Sequence, residues 1–446
     1  MTFSNKILVL GYGSIAKATL PLIIDSFDNP QVTVLAKDIS STELTDGLAI
    51  KSHETTLTKE NYVEVLDQYV DTGDLIVNLT AEVSSLDLME YCSKQGVLYL
   101  DTCIEMWPEE IDVNSKTYDE REMLLTLQQK LKADQTTLLS SIGANPGIVS
   151  LLTKKLMIRI ADEIGLVYSK PETKADWGKL SYDLGVQVIH VNERDTQYSS
   201  KKFDSDEFVS TWSIEAMIVE SIESAEMSIG SHEAALPDDA VFAGTKNKQA
   251  IYFKKPGKDV QIKTWLPLAG EQTGMVLNHN EPFSIAELYT HRTEVGEYAP
   301  TTCFVYHPSD QTVESLKHLT TENYESKKGH LLLHDIEGGI DELGVFVMTK
   351  EHGSFWLGSR LDIHKARKMN PESSATSLQV AAGVTAAIEW IINNPTQGLI
   401  EPEDIKDYDF LLTCAEKYWG GYVYARTDWT PTTDANSLQF KDFLPE

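Results

Sequence analysis

Two sets of residues in this 446-residue chain have the types and spacing to do chemistry. The first is Gly11-Tyr12-Gly13-Ser14-Ile15-Ala16, which directly follows the apolar run Ile7–Leu10. A G-x-G-x-x-A pattern between a strand and a helix is the fingerprint that seats a dinucleotide. Gly11 permits the tight turn, Gly13 lets backbone N–H groups approach a pyrophosphate, and Ala16 lets helix and strand pack closely. The helix N-terminus then faces the phosphate charge. A P-loop would need glycine before a lysine and a hydroxyl after it, whereas Lys17 stands between Ala16 and Ala18 and reads as a surface lysine.

The second set consists of carboxylates beside aromatic or imidazole groups: Glu193-Arg194-Asp195, Trp212 followed by Glu215 and Glu220, His279-Asn280-Glu281, and Gly339-Ile340-Asp341-Glu342. Each taken singly reads equally well as solvated surface charge. Brought together they would hold a cation, because buried carboxylates need a cationic partner and a polyamine supplies one. Trp212 would add a cation–π contact of roughly 0.5–2 kcal/mol, or would serve as an ordinary core tryptophan. Other chemistries lack their residues. His232-Glu233 has no second histidine at zinc spacing and meets Pro237, no G-x-S-x-G elbow occurs, and Cys92, Cys103, Cys303 and Cys414 show no C-x-x-C. No metal site is expected, the thiols are expected to be reduced, and redox chemistry must come from a nicotinamide.

The elements that position these residues form two patterns. From residue 6 to about 145, the apolar runs Ile7–Leu10, Val32–Leu35, Leu75–Leu79, Val97–Leu100 and Thr137–Ser141 alternate with helical stretches near 14–27, 58–70, 84–95 and 115–133. This alternation predicts an α/β fold with a Rossmann-type, doubly wound parallel sheet. Ligands in such sheets sit beyond the carboxyl ends of the strands. The residues to inspect are therefore Lys37-Asp38, Asn78-Leu79-Thr80, Asp101-Thr102 and Gly143-Ala144-Asn145-Pro146-Gly147. Asp38, roughly 20 residues beyond the glycines, suits the ribose hydroxyls or a plain turn. Lys37 would suit a 2′-phosphate, but no arginine stands near it, so NAD is preferred.

After Gly147 a helix over 148–162 leads into alternating stretches at Leu184–Val191, Phe208–Trp212, Ala250–Phe253, Val260–Thr264, Met275–His279, Thr302–Tyr306 and Gly344–Met348. They predict a second, α+β domain with a mostly antiparallel sheet, with turn-rich connections at 168–176, 197–207 and 321–330. The long Ala-rich helix 375–393 is broad enough in its apolar face to return over the nucleotide domain or to form a subunit interface, and the tail is read as loops around Trp419, Trp429 and Pro431. The expected divisions are 1–146 for the dinucleotide domain, 147–365 for the substrate and dimerisation domain, and 366–446 for a C-terminal helix and tail returning to the first. A homodimer is expected. With 38 Lys and Arg against 68 Asp and Glu, the net charge of −30 disfavours nucleic acid. No leader and no span of roughly 20 apolar residues is apparent, which leads to the expectation of a cytoplasmic protein with no membrane partner.

The motifs, with Asp428-Trp429-Thr430-Pro431 near the end, resemble the bacterial homospermidine synthases over nearly the whole chain. The resemblance implies a fold shared with saccharopine and carboxynorspermidine dehydrogenases. It implies a tightly held NAD serving as a recycled hydride store, and the joining of two putrescines, with spermidine as a further donor, into homospermidine with loss of ammonia. It implies an amine site lined by Glu105, Glu193, Trp212, Glu220, His279, Glu281 and Asp341, in which Trp212, Asn145, His279 and Glu193 are catalytic. It further implies NAD contacts from Gly11, Gly13, Ser14, Ile15, Asp38, Asn78, Leu79, Thr80, Asp101, Thr102, Ala144, Asn145 and Pro146. Many relatives carry Asp at the end of the second strand, where this chain has Ala36 and places Asp38 two residues later. The readings left open are a dehydrogenase of the same fold, acting on NAD or NADP, and a non-catalytic NAD-dependent polyamine sensor.

Overall fold

Short apolar strands that are buried on both faces favour parallel pairing, and the N-terminal runs pair in this way. In a computed structural model that describes residues 1–39, 50–110, 116–132, 135–244, 248–294, 296–320, 328–432 and 438–445, a seven-stranded parallel sheet grows outward from Lys6–Leu10. Gln31–Ala36 and Ile50–Glu54 lie on one side; Leu75–Asn78, Leu98–Asp101, Leu138–Leu139 and Leu399–Ile400 follow on the other. The order reverses at the first strand, so the glycine turn opens at the switch point where doubly wound sheets bind ligands.

Two of these strands were not apparent from sequence. Ile50–Glu54 is a polar edge that buries only Ile50, and Leu399–Ile400 is two residues long and gains its meaning from pairing with Leu138–Leu139.

The second domain is built on a ten-stranded sheet whose one parallel pairing joins Thr301–His307 to Val186–Asp195. Ile340–Thr349 pairs antiparallel on the other side of Val186–Asp195, followed by Gly353–Asp362 and Val423–Thr427. The tail therefore divides. One piece extends the nucleotide sheet and another the second sheet, where it covers an edge that would otherwise be unpaired. The tail is also not all loop. Tyr408–Trp419 is a helix burying Tyr408, Leu411, Leu412, Ala415 and Trp419, a helical spacing present in the sequence. Residues read as a turn-rich connection near 168–176 instead begin the helix Lys174–Asp183, capped by Thr173 with Asp176. Of the connection read at 321–330, residues 321–327 lie outside the described residues.

The helix Ala375–Asn393 packs on Ser14–Ser26 and Tyr408–Trp419. It is long and apolar enough to cross a membrane by length and composition, but 83% of its apolar window is buried inside the protein. Its width of apolar face is thus accounted for within the chain, where each buried Leu or Ile contributes roughly 1.5–3 kcal/mol. A Cβ on Gly383 would stand 2.2 Å from the Gly143 carbonyl, so only glycine lets this helix press against the Gly143–Gly147 turn. The two domains are further joined through buried Arg121. It donates Nε and Nη2 to Glu401 at 2.8 and 2.7 Å and pairs with Glu287 at 2.9 Å, which satisfies the guanidinium out of water.

Candidate active site

Gly11 has φ +91°, and a Cβ there would stand 2.7 Å from the Leu79 carbonyl oxygen, so the turn requires glycine. Gly13 caps Ser14–Ser26 without a side-chain hydrogen bond, and a Cβ on it would meet nothing within 4 Å. The first N–H groups of a 13-residue helix therefore face open space, an arrangement that fits a pyrophosphate. Thr80, Thr102, Asn145 and Pro146 stand half-buried at the strand ends around it. Asp38 is exposed. Its neighbour Lys37 is paired with Glu82 at 2.5 Å on the surface.

Asn78 and Asp101 are buried. Asn78 donates to the Tyr99 hydroxyl at 3.3 Å, and Asp101 accepts from Tyr99 at 2.9 Å and from the Ser141 N–H at 2.6 Å. Burial lifts Asp101 to about 6 against these donors. Both residues brace the loop ends, and their side chains are already engaged.

Opposite this turn, strand register assembles the acids. Side chains alternate along a strand, so Glu193 and Asp195 share one face of Val186–Asp195 while Arg194 points away to Asp310. Asp341 is the cross-strand partner of Asp195, Leu343 that of Glu193, and Tyr306 that of Glu193 on the other side. Asp195 is fully engaged by Thr211, the Gln197 N–H and the Gln197 amide. Gln197 also donates to Thr376 Oγ1 at 3.1 Å, and the Thr376 hydroxyl donates in turn to Asp341 Oδ2. Asp341 Oδ1 is left buried without a partner. Burial and the adjacent Glu193 and Asp195 carboxylates hold Asp341 well above the usual carboxylate range. Glu193, 3% exposed, is pushed to about 8 by burial and by Asp195, with the Asn145 hydrogen bond at 3.2 Å opposing. Asn145 belongs to the nucleotide loop, so this bond joins the two halves of the site.

A second group stands beside the first. His279 Nδ1 lies 3.1 Å from Glu281 and Nε2 lies 3.4 Å from Glu220. Burial alone would lower the imidazole, but Glu281 and Glu220 outweigh it and hold His279 well above its ordinary value, as a cation. The Glu220 oxygen facing His279 is Oε2, while Glu281 Oε2 remains buried without a hydrogen bond among the described residues. Glu105 is lifted to about 7 by burial, aided by the charges of Asp101, Glu223 and Glu220. Trp212 is half-buried, and its carbonyl accepts a hydrogen bond from Ser14 Oγ of the glycine loop. Glu215, on the helix Ile214–Ile222, is exposed and apart from the cluster.

Sequence reasoning missed three members. Glu223 lies one helical turn beyond Glu220 and binds Asn278 at 2.5 Å. Glu120 is lifted to about 8 by burial, then by Glu223 and Glu105. Tyr306 stands beside Glu193. The i, i+3 spacing of Glu220 and Glu223 was a usable signal; Glu120 and Tyr306 are recruited only by the fold.

Residues 7–139 match the family model described as the saccharopine dehydrogenase NADP binding domain, and residues 143–419 match the saccharopine dehydrogenase C-terminal domain. The chain is 35% identical to the homospermidine synthase of Mesorhizobium japonicum over 445 residues, covering 96% of this chain and 91% of that one. It is 35% identical to that of Blastochloris viridis over 441 residues, covering 96% and 92%. Among solved structures it resembles the homospermidine synthase from Legionella pneumophila in complex with NAD, with TM-score 0.93, 32% identity and coverage of 99% and 98%. A saccharopine dehydrogenase from Saccharomyces cerevisiae, at TM-score 0.54, 11% identity and coverage of 95% and 100%, shares the fold.

Proposed function

The chain belongs to the homospermidine synthase family, and from that premise we propose that it joins two putrescines into homospermidine with release of ammonia, using NAD as a recycled hydride carrier. The carrying observation is the acidic cluster set against the nucleotide turn. Two of its buried carboxyl oxygens, on Asp341 and Glu281, lack hydrogen-bond partners among the described residues, and a diamine dication would pair with the cluster. When bound, NAD supplies the hydride acceptor for the first step and the same hydride for the last.

Putrescine gives up a hydride and a proton at one end to become an imine. The amine of a second putrescine adds to that carbon, and ammonia leaves with the original nitrogen. The new carbon–nitrogen double bond regains the hydride, so no net electrons are gained or lost. Glu193 takes the proton of the reacting ammonium; a carboxyl near 8 is matched to that task at neutral pH. Asn145 fixes Glu193 relative to the nucleotide loop. Glu220, Glu281 and Glu105 hold the distant ammonium, with His279 locking the first two. Trp212 offers its ring face to charge developing on the imine, and Asp341 holds the diamine's orientation. Glu120 and Glu223 extend the acids beyond Glu105, which favours spermidine as a second donor.

The same reading includes a cytoplasmic location, consistent with free thiols at Cys92, Cys103, Cys303 and Cys414. It also includes a homodimer, supported by Phe242 on the edge strand Ala240–Phe242 and Leu236 in the loop before it, which leave 53% and 37% of their surface exposed.

Incubation of the protein with putrescine and NAD alone tests the reaction. Homospermidine and ammonia without accumulating NADH are expected. Stoichiometric NADH would assign a dehydrogenase, and unchanged putrescine a sensor.

A further inference from the structure

Tyr306 plays no part in the steps above, and its hydroxyl has no hydrogen-bond partner among the described residues. The residue is 2% exposed. A buried polar group left in this state is unfavourable by roughly 1–3 kcal/mol, so its retention calls for a cause. Its place is defined from several sides. Tyr306 is the cross-strand partner of Glu193 on the same sheet face, and its ring stacks on Phe304 at 5.7 Å, which in turn lies 4.3 Å from the His279 ring. The hydroxyl lies within electrostatic reach of Glu193 and Asp195 from its own sheet, Asp341 from the adjoining strand and Glu220 from the helix Ile214–Ile222. Burial and these charges hold the phenol well above its ordinary value, which excludes a phenolate and with it any role as a base.

Three buried atoms around this point lack hydrogen-bond partners among the described residues: Asp341 Oδ1, Glu281 Oε2 and the Tyr306 hydroxyl. Two belong to carboxyl groups, whose ionised forms favour a protonated nitrogen. The tyrosine hydroxyl carries no charge to do so. The reacting nitrogen must lose its proton before the neighbouring carbon can release a hydride, and an ionised acid opposes that loss.

We propose that Tyr306 is a substrate-binding residue whose uncharged hydroxyl accepts an N–H from the diamine's reacting nitrogen, positioning it without the anionic charge that would hold it protonated. The lone pair of the nitrogen stays free to assist hydride departure.

This inference rests on the diamine reaction proposed above, and Tyr306→Phe tests it while keeping the ring and its stacking. The expected result is a kcat/KM for putrescine lowered about 5- to 30-fold, carried mainly by kcat, with KM changed less than threefold. The melting temperature is expected to equal or exceed that of the wild type, because an unpartnered hydroxyl has been removed. A kcat within twofold of wild type overturns the proposal. So does a melting temperature that falls in step with activity, since that makes the hydroxyl structural. Wild-type protein assayed in parallel separates the two readings: failure of the wild type to form homospermidine refutes the reaction and this role with it, whereas an active wild type matched by Tyr306→Phe refutes this role alone.

Discussion

Raising the pH from 6.5 to 8.5 should increase kcat/KM for putrescine along a limb of unit slope that ends near 8, because Glu193 must be ionised to accept a proton and its native value lies at about 8. At pH 7 about one site in ten is then competent, which corresponds to about 1.4 kcal/mol for ionising the carboxyl. Asn145→Ala should move this limb toward higher pH, because the Asn145 amide donates to Glu193 at 3.2 Å and favours its ionised form. A hydrogen bond to a charged group is worth about 1.5 kcal/mol at the weaker end of its range, or about 1 pH unit. Glu193→Gln should abolish the limb along with most of the activity. The assay is initial-rate homospermidine formation at 0.25-unit intervals of pH. A flat profile between 6.5 and 8, a limb surviving in Glu193→Gln, or a downward move in Asn145→Ala would refute the role given to Glu193.

Trp212→Phe should retain part of the activity and Trp212→Ala should lose more, by at least the factor matching roughly 0.5–2 kcal/mol; full activity in a stably folded Trp212→Ala protein rules the ring out. The ligand-free protein should melt at progressively lower temperature as pH rises from 6 to 8.5. Glu193, Glu120 and Glu226 have native values of about 8, well above the usual carboxylate range, so the folded state holds protons that the unfolded state has released, and stability is lost as they dissociate. Putrescine should restore the melting temperature more at pH 8 than at pH 6, and scanning calorimetry at the two pH values reads the difference. Light scattering should report a mass near twice 49.8 kDa, and a value near 50 kDa removes the dimer.

The parts of this molecule that could be read in advance are those in which one short segment carries its whole meaning. Gly11 to Ala16 switches from strand to helix within six residues, and the turn needs no distant partner to be recognised. Glu193 and Asp341 were visible as strand-end acids, but their adjacency depends on the register of two strands about 145 residues apart, which no local pattern encodes. Tyr306 sits in the alternating run Thr301–His307 and reads there as one more core aromatic; only its pairing with Glu193 changes that reading. Gly353–Asp362 was passed over because its glycines and serines interrupt the apolar alternation, although Phe355, Trp356 and Leu357 are buried. The helix Tyr408–Trp419 carries Tyr408, Leu411, Leu412 and Ala415 at helical spacing, a local pattern that the sequence does show.

Ser14 and Trp212, 198 residues apart, are tied by a hydrogen bond, and Asn145 is tied to Glu193 in the same way. Both contacts cross from the glycine loop and the Gly143–Gly147 turn to the second domain, so the two halves of the site are held in register. In the proposed reaction the hydride taken in the first step is the one returned in the last. The overall reaction is then indifferent to how oxidised or reduced the surrounding nicotinamide pool is. Its direction is set by the concentrations of diamine and product and by the escape of ammonia, so the protein performs a transfer with the parts of an oxidoreductase.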